Sequence, residues 1–139
     1  MGNEPHRLTT PEFRLARSLI GALALLTLSG PVLAHAILVK AAPAQESVVA
    51  NAPEEILLIF NDGVGEQYLA LAVTDEAGKR VDNHDAKLDF TDHSHLRATV
   101  ATLNPGRYMV RYRVLSADGH VVSGKYHFQI QGKKQEGTQ

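Results

Sequence analysis

The stretch Arg107–Leu115, RYMVRYRVL, constrains this chain more than any other. Tyr108, Val110, Tyr112 and Val114 fall on one parity, and Arg107, Met109, Arg111 and Arg113 on the other. Successive side chains of an extended backbone point to opposite faces, so this period of two makes a strand with one face buried and one in water. A helix would scatter both sets around its axis. A one-sided strand commits the chain to a sheet, and the apolar face of that sheet needs a second layer over it. Asn104-Pro105-Gly106 supplies a turn before the strand, and Ala117-Asp118-Gly119 a turn after it.

Other segments follow the same grammar. Ile56-Leu57-Leu58-Ile59-Phe60 is a short apolar run between Pro53-Glu54-Glu55 and Asn61-Asp62-Gly63, which predicts a strand buried on both faces. Tyr68–Thr74 is a further strand. Asp75-Glu76-Ala77-Gly78 is its turn and Lys79-Arg80-Val81 begins the return. Lys87–Phe90 and His95–Val100 are weaker candidates. Lys125–Gln131, with Tyr126, Phe128 and Ile130 on one face, closes the domain. No stretch beyond the N-terminal segment sustains a period of 3.6. About seven short strands between turns read as all-β, either an immunoglobulin-like sandwich or a small Greek-key barrel.

The first 34 residues are of another kind. Arg7, Arg14 and Arg17 precede the uncharged run Leu19–Leu28, which Gly30-Pro31 ends and Val32-Leu33-Ala34 follows. This is the pattern of a cleaved secretory signal, and the run falls short of the roughly 20 apolar residues that span a bilayer. Cleavage fits after Ala34, leaving His35 at the new N-terminus, or after Ala36, discarding it. Residues 35–131 then form one domain, and 132–139 a polar tail expected to be disordered. From His35 onward the chain carries net charge −2, which argues against a nucleic-acid binder. The absence of cysteine excludes disulfides, thiolate metal sites and a cysteine nucleophile.

The candidate chemistry lies in histidines. In an extended Asp118-Gly119-His120 a carboxylate and an imidazole point the same way, with glycine easing a bend between them. By itself this motif is more readily a turn aspartate beside a surface histidine. A free His35 adds two nitrogens, its α-amine and ring Nδ1, which close a six-membered chelate ring. The amine's pKa of about 7.7 makes proton release easy near neutrality. One amine, two imidazoles and a carboxylate form an N3O set that suits tetragonal Cu(II) better than tetrahedral zinc.

Three blocks carry a family resemblance. They are Ala34-His35-Ala36-Ile37-Leu38-Val39-Lys40-Ala41-Ala42-Pro43-Ala44; Ala52-Pro53 with Ile56–Asp62; and Pro105-Gly106-Arg107-Tyr108 with Tyr112–His120, Gly124 and Phe128. In order and spacing they resemble the CopC family of periplasmic copper-resistance proteins. The resemblance implies a Greek-key, cupredoxin-like β fold holding one Cu(II), with cleavage after Ala34. It carries the ligand role onto His35, through amine and ring, and onto Asp118 and His120. It places Asp62 beside the ion, bound through water or as a weak axial ligand. A separate CopD-like inner-membrane protein is the implied partner. Some family members also bind Cu(I) in a methionine-rich segment. Here Asp75–Thr91 has no methionine and Met109 is the one methionine after Met1, so no Cu(I) site of that kind is expected.

The remaining groups read as structural. His84, His93 and His95, with Asp85, Asp89 and Asp92, form a solvated polar loop and edge strand rather than a second metal site. His127 faces solvent or a neighbouring sheet. Arg107, Arg111 and Arg113 form a solvated row paired to acids, with Arg113 in reach of the site carboxylates. Tyr68, Tyr108 and Tyr112 belong to the core. The functional expectation is a monomeric, non-enzymatic periplasmic protein that sequesters or carries copper. The alternatives are a histidine-brace oxidative enzyme resembling lytic monooxygenases only in that ligand arrangement, and a metal-free adhesion-like sandwich.

Overall fold

The alternation in Arg107–Leu115 becomes the middle of a sheet. In the computed structural model, which describes Gly2 and residues 35–132, eight strands run in order: β1 Leu38–Ala42, β2 Ser47–Val49, β3 Glu55–Phe60, β4 Gly65–Thr74, β5 Lys87–Leu88, β6 His95–Thr99, β7 Gly106–Leu115 and β8 Val121–Ile130. They form two four-stranded sheets, β1-β3-β6-β5 and β2-β8-β7-β4. The fold is the all-β sandwich alternative; the two sheets do not close into a barrel. The signal-peptide reading of residues 1–34 and the reading of 133–139 as tail lie outside the described residues.

The core sits between the two inner faces. Ile56, Leu58 and Phe60 of β3 and Leu96 and Ala98 of β6 meet Leu71 and Val73 of β4, Val110 and Val114 of β7, and Tyr126 and Phe128 of β8, all buried. Tyr108 stacks on Phe128 at 5.4 Å and donates its hydroxyl to the Asn104 carbonyl. Burial alternates along β7 as the sequence requires.

Four expectations change. β3 is not buried on both faces: Ile56, Leu58 and Phe60 are buried while Leu57 and Ile59 are half-buried, because nothing covers the outer side of a two-layer sandwich completely. The Lys79–Val81 return forms only an isolated bridge, Thr74 to Arg80. β1 and β2 are additional strands without an alternating pattern. Tyr68 is exposed, with φ of 59°, in an irregularity where four residues of β4, Glu66 to Leu69, lie opposite the single Val114 of β7. A bulge of this kind turns its side chains out of the core.

Gly124 of β8 makes room for a neighbour rather than for an unusual backbone. A Cβ there would run into the hydroxyl and ring of Tyr112, its cross-strand partner, and that ring packs edge-on against Phe60 at 5.5 Å. Gly124→Ala is expected to cost about 1–3 kcal/mol through overpacking, read as a lowered urea midpoint with unchanged slope.

Candidate metal centre

The β7–β8 hairpin is built to bend sharply after Leu115. Ser116 N–H donates to the His120 carbonyl at 2.8 Å, Gly119 N–H donates to the Ser116 carbonyl at 2.9 Å, and Gly119 takes φ of 84°. That left-handed backbone is nearly free only for glycine. Asp118 and His120 therefore converge through a tight turn and not through the extended geometry expected from their spacing. Asp118 Oδ1 accepts the His120 backbone N–H at 3.1 Å, and His120 Nδ1 lies 3.2 Å from the same oxygen.

The segment before β1 brings the third group. His35 Nδ1 lies 3.0 Å from Asp118 Oδ2, and the two imidazoles meet edge to face at 5.2 Å. One ligand atom from each of His35, Asp118 and His120 falls within 4.8 Å of the others. Both rings are more than half exposed, whereas the Asp118 side chain retains 12% exposure. The site is thus open above and anchored below.

This placement depends on residues that the motif does not contain. Ala36 is buried, and its N–H donates to Ser116 Oγ at 2.8 Å. Ile37 N–H donates to Asn61 Oδ1 at 2.7 Å, while Asn61 N–H donates to the Ile37 carbonyl at 3.0 Å. The Ser116 side chain also helps to stabilise the ionised Asp118 carboxylate. One buried side chain therefore holds the chain carrying His35 and favours the charge on the carboxylate facing it. Burial pushes the Asp118 carboxyl up, but the His120 backbone N–H, the His120 ring and Ser116 outweigh it and hold the group below the ordinary carboxylate range.

The donor set fits a cation. Asp118 Oδ2 is buried and receives no well-aligned hydrogen bond, although an imidazole nitrogen stands 3.0 Å away. An ion between this buried oxygen and the two rings would satisfy all three groups. The set is nitrogen and oxygen only, the chemistry of Cu(II), Ni(II) or Zn(II) rather than Cu(I).

Other candidate residues fall elsewhere. Asp62 lies after β3, caps the Gly63 N–H at 2.8 Å and is outside the His35–Asp118–His120 group. Its neighbour Asn61 is the residue that reaches the site segment. Arg113 does not meet a site carboxylate; its Nε donates to the Tyr68 carbonyl at 3.1 Å. His95 pairs with Asp92 at 3.1 Å, Asp85 binds Thr99 and Asp89 binds Thr91. Among the described residues these groups form no cluster of three able to hold an ion. His127 Nδ1 faces Glu46 at 3.5 Å on the outer side of β8. Sequence reasoning missed Ser116 and Asn61. The one signal for Ser116 is a small hydroxyl ending an apolar strand just before Ala117-Asp118-Gly119.

A family model described as the CopC domain matches residues 38–131, so it takes in Asp118 and His120 and begins just after His35. Protein YobA of Escherichia coli K12 is 37% identical over 119 residues, covering 83% of this chain and 96% of that protein. The copper transport protein CutJ of Bacillus subtilis is 32% identical over 99 residues, which are 70% of this chain but 18% of CutJ. Among solved structures, CopC from Methylosinus trichosporium OB3b superposes with a TM-score of 0.67 at 36% identity, covering 73% of this chain and 98% of that one. PcoC, a methionine-rich copper resistance protein from Escherichia coli, gives 0.59 at 27% identity, covering 70% of this chain and all of its own. With the family's sandwich in place and its domain matched over most of the chain, this protein belongs to the CopC family.

Proposed function

We propose that the chain is a periplasmic Cu(II) protein that sequesters or carries one copper ion and performs no catalysis. The observation that carries this reading is the convergence of His35, Asp118 and His120, one ligand atom of each within 4.8 Å of the others. Support comes from relatives named for copper transport and copper resistance. Copper is cargo here. Cleavage after Ala34 frees the His35 amine, which joins ring Nδ1 in a six-membered chelate. His120 adds a second imidazole, and Asp118 adds the negative charge that favours Cu(II) over Cu(I). Asp62 would act through water at most. A CopD-like membrane protein is the proposed partner in transfer.

The test is a Cu(II) titration of the exported chain, with intact mass to fix its first residue. One equivalent bound with a tetragonal spectrum is expected. Loss of supporting neighbours of a metal ligand typically costs about 10–100-fold in affinity, so Asp118→Asn and His120→Ala, which remove ligands, should cost at least that. Unchanged affinity in both variants would overturn the assignment. Ascorbate separates the carrier from the oxidative enzyme: the carrier resists reduction and yields no peroxide.

Ser116→Ala should leave the core intact and still loosen the ion. Losing the hydroxyl frees the Ala36 N–H and one support of Asp118. We expect about tenfold weaker Cu(II) binding and a broadened Cu(II) electron paramagnetic resonance spectrum, with Ser116→Thr restoring both.

A further inference from the structure

The outer face of the β2-β8-β7-β4 sheet distributes its cations unevenly. Arg107 has Glu46 at 3.7 Å. Nearer the His35–Asp118–His120 end, Arg111 stands directly opposite Lys125, and Arg113 opposite Ser123. The arginine–carboxylate pairs of the described residues involve Arg80, Arg97 and Arg107; among those residues Arg111, Arg113 and Lys125 have no acid. On the other flank the β4 partners of Arg113 and Arg111 are Ala70 and Ala72. Like charges directly opposite each other on a sheet destabilise it. The expected pairing of this row to acids therefore holds only at Arg107, although the chain from His35 onward is net negative.

The same place has an open sheet edge. β8 pairs with β7 along its whole length, but β2 covers its other side only at Phe128–Ile130. Among the described residues no strand covers that side between Val121 and Tyr126. Such an edge is a template for an added strand. The adjoining shallow groove, about 360 Å³, is lined by Arg111, Tyr112, Ser123, Gly124 and Lys125.

We propose that this edge is a docking site for an extended acidic segment of a partner protein. The segment adds as a strand beside Val121–Tyr126 and sets its carboxylates against Lys125, Arg111 and Arg113. A membrane surface would use the cations but not the edge, which is why a peptide is the better occupant. β8 starts directly after His120, so the docked strand ends beside the candidate metal centre. The proposal stands whether or not that centre holds copper.

The probe is a capped synthetic peptide alternating glutamate and threonine, titrated into the isotopically labelled exported chain. Amide shifts and slowed hydrogen exchange should concentrate at Val121–Tyr126 and fall away with added salt. The double variant Arg111→Glu/Lys125→Glu should bind about tenfold more weakly or worse, while keeping its dispersed amide spectrum as the check on folding. An absence of shifts at this edge, or shifts that persist in the variant, would overturn the proposal. So would charge-dependent binding to phosphatidylglycerol vesicles without peptide binding, since that makes the face a membrane contact.

Discussion

A chain carrying even one residue ahead of His35 should bind Cu(II) about 100- to 10,000-fold more weakly than the chain that begins there. The reason is that the amine and ring Nδ1 of one residue act as tethered donors. Once one is bound the other is held at high effective concentration, and linked sites of this kind gain roughly two to four orders of magnitude. At about 1.4 kcal/mol per tenfold, the loss is about 3–6 kcal/mol. The three side-chain groups would remain, because Ser116 and Asn61 hold the backbone at Ala36 and Ile37 and not at the terminus. Extended protein should thus still take up copper, with fewer nitrogens in its hyperfine pattern. Competition against a chelator of known strength measures the affinity, and pulsed paramagnetic resonance counts the nitrogens. The free amine must shed a proton near neutrality, so the advantage of the authentic terminus should shrink as pH falls below about 7. Equal affinity with and without the extra residue would remove the amine from the site and leave an ordinary three-ligand centre.

How far the sequence discloses this architecture depends on the range of the interactions. β7 and the inward residues of β8 are legible because burial on one face writes itself into alternate positions. The Asp75–Gly78 turn is legible because Gly78 takes φ of 79° and Asp75 caps Lys79 locally. β1 and β2 are not. β1 shows no alternation in its burial. β2 has three residues and exists through parallel pairing with β8, some 80 positions away. The candidate site divides in the same way. Asp118 and His120 are neighbours in sequence and announce themselves. Their tie to Ala36 through Ser116 spans 80 residues, and a serine carries no mark of a distant N–H. The cleavage pattern offers His35 as one of two possible termini and the family resemblance chooses it; residue spacing alone could not have placed it beside Asp118. The reading of Arg113 erred because the β4 irregularity brings the Tyr68 carbonyl to its guanidinium first.

Asp82 is the residue whose loss should damage the fold most. It is the buried carboxylate of the domain, with no exposed side-chain surface, and it is bound on every side. Arg80 grips both oxygens at 2.8 and 2.9 Å. The Val73 backbone N–H donates to Oδ1 at 2.9 Å, and the His84 N–H donates to Oδ2 at 3.2 Å. These contacts tie the loop after β4 to the β4 strand itself. Asp82→Ala would leave the N–H of fully buried Val73 without an acceptor, while the partly exposed Arg80 could turn to water. An orphaned buried donor costs about 1–3 kcal/mol, and breaking a buried ion pair about 3–5. With one partner near solvent, about 2–4 kcal/mol is expected. For a domain of about 100 residues that lowers Tm by roughly 10–20 °C. Asp82→Asn keeps an acceptor for Val73 but puts an amide NH2, which cannot accept, in place of the oxygen that receives Arg80 and the His84 N–H, so it should fall between wild type and alanine. The pH dependence gives an independent reading. Burial raises the Asp82 carboxyl, but Arg80 and the two backbone N–H groups outweigh it and bring it below its ordinary value. The folded state therefore prefers the ionised form. That stabilisation is complete above the unfolded pKa of about 4 and is lost as pH falls through the lower folded value. Both variants should show a flatter acid limb in Tm against pH than wild type. A full-size loss in Tm with an unchanged acid limb would mean that Asp82 contributes packing and backbone hydrogen bonds, and that its charge contributes nothing.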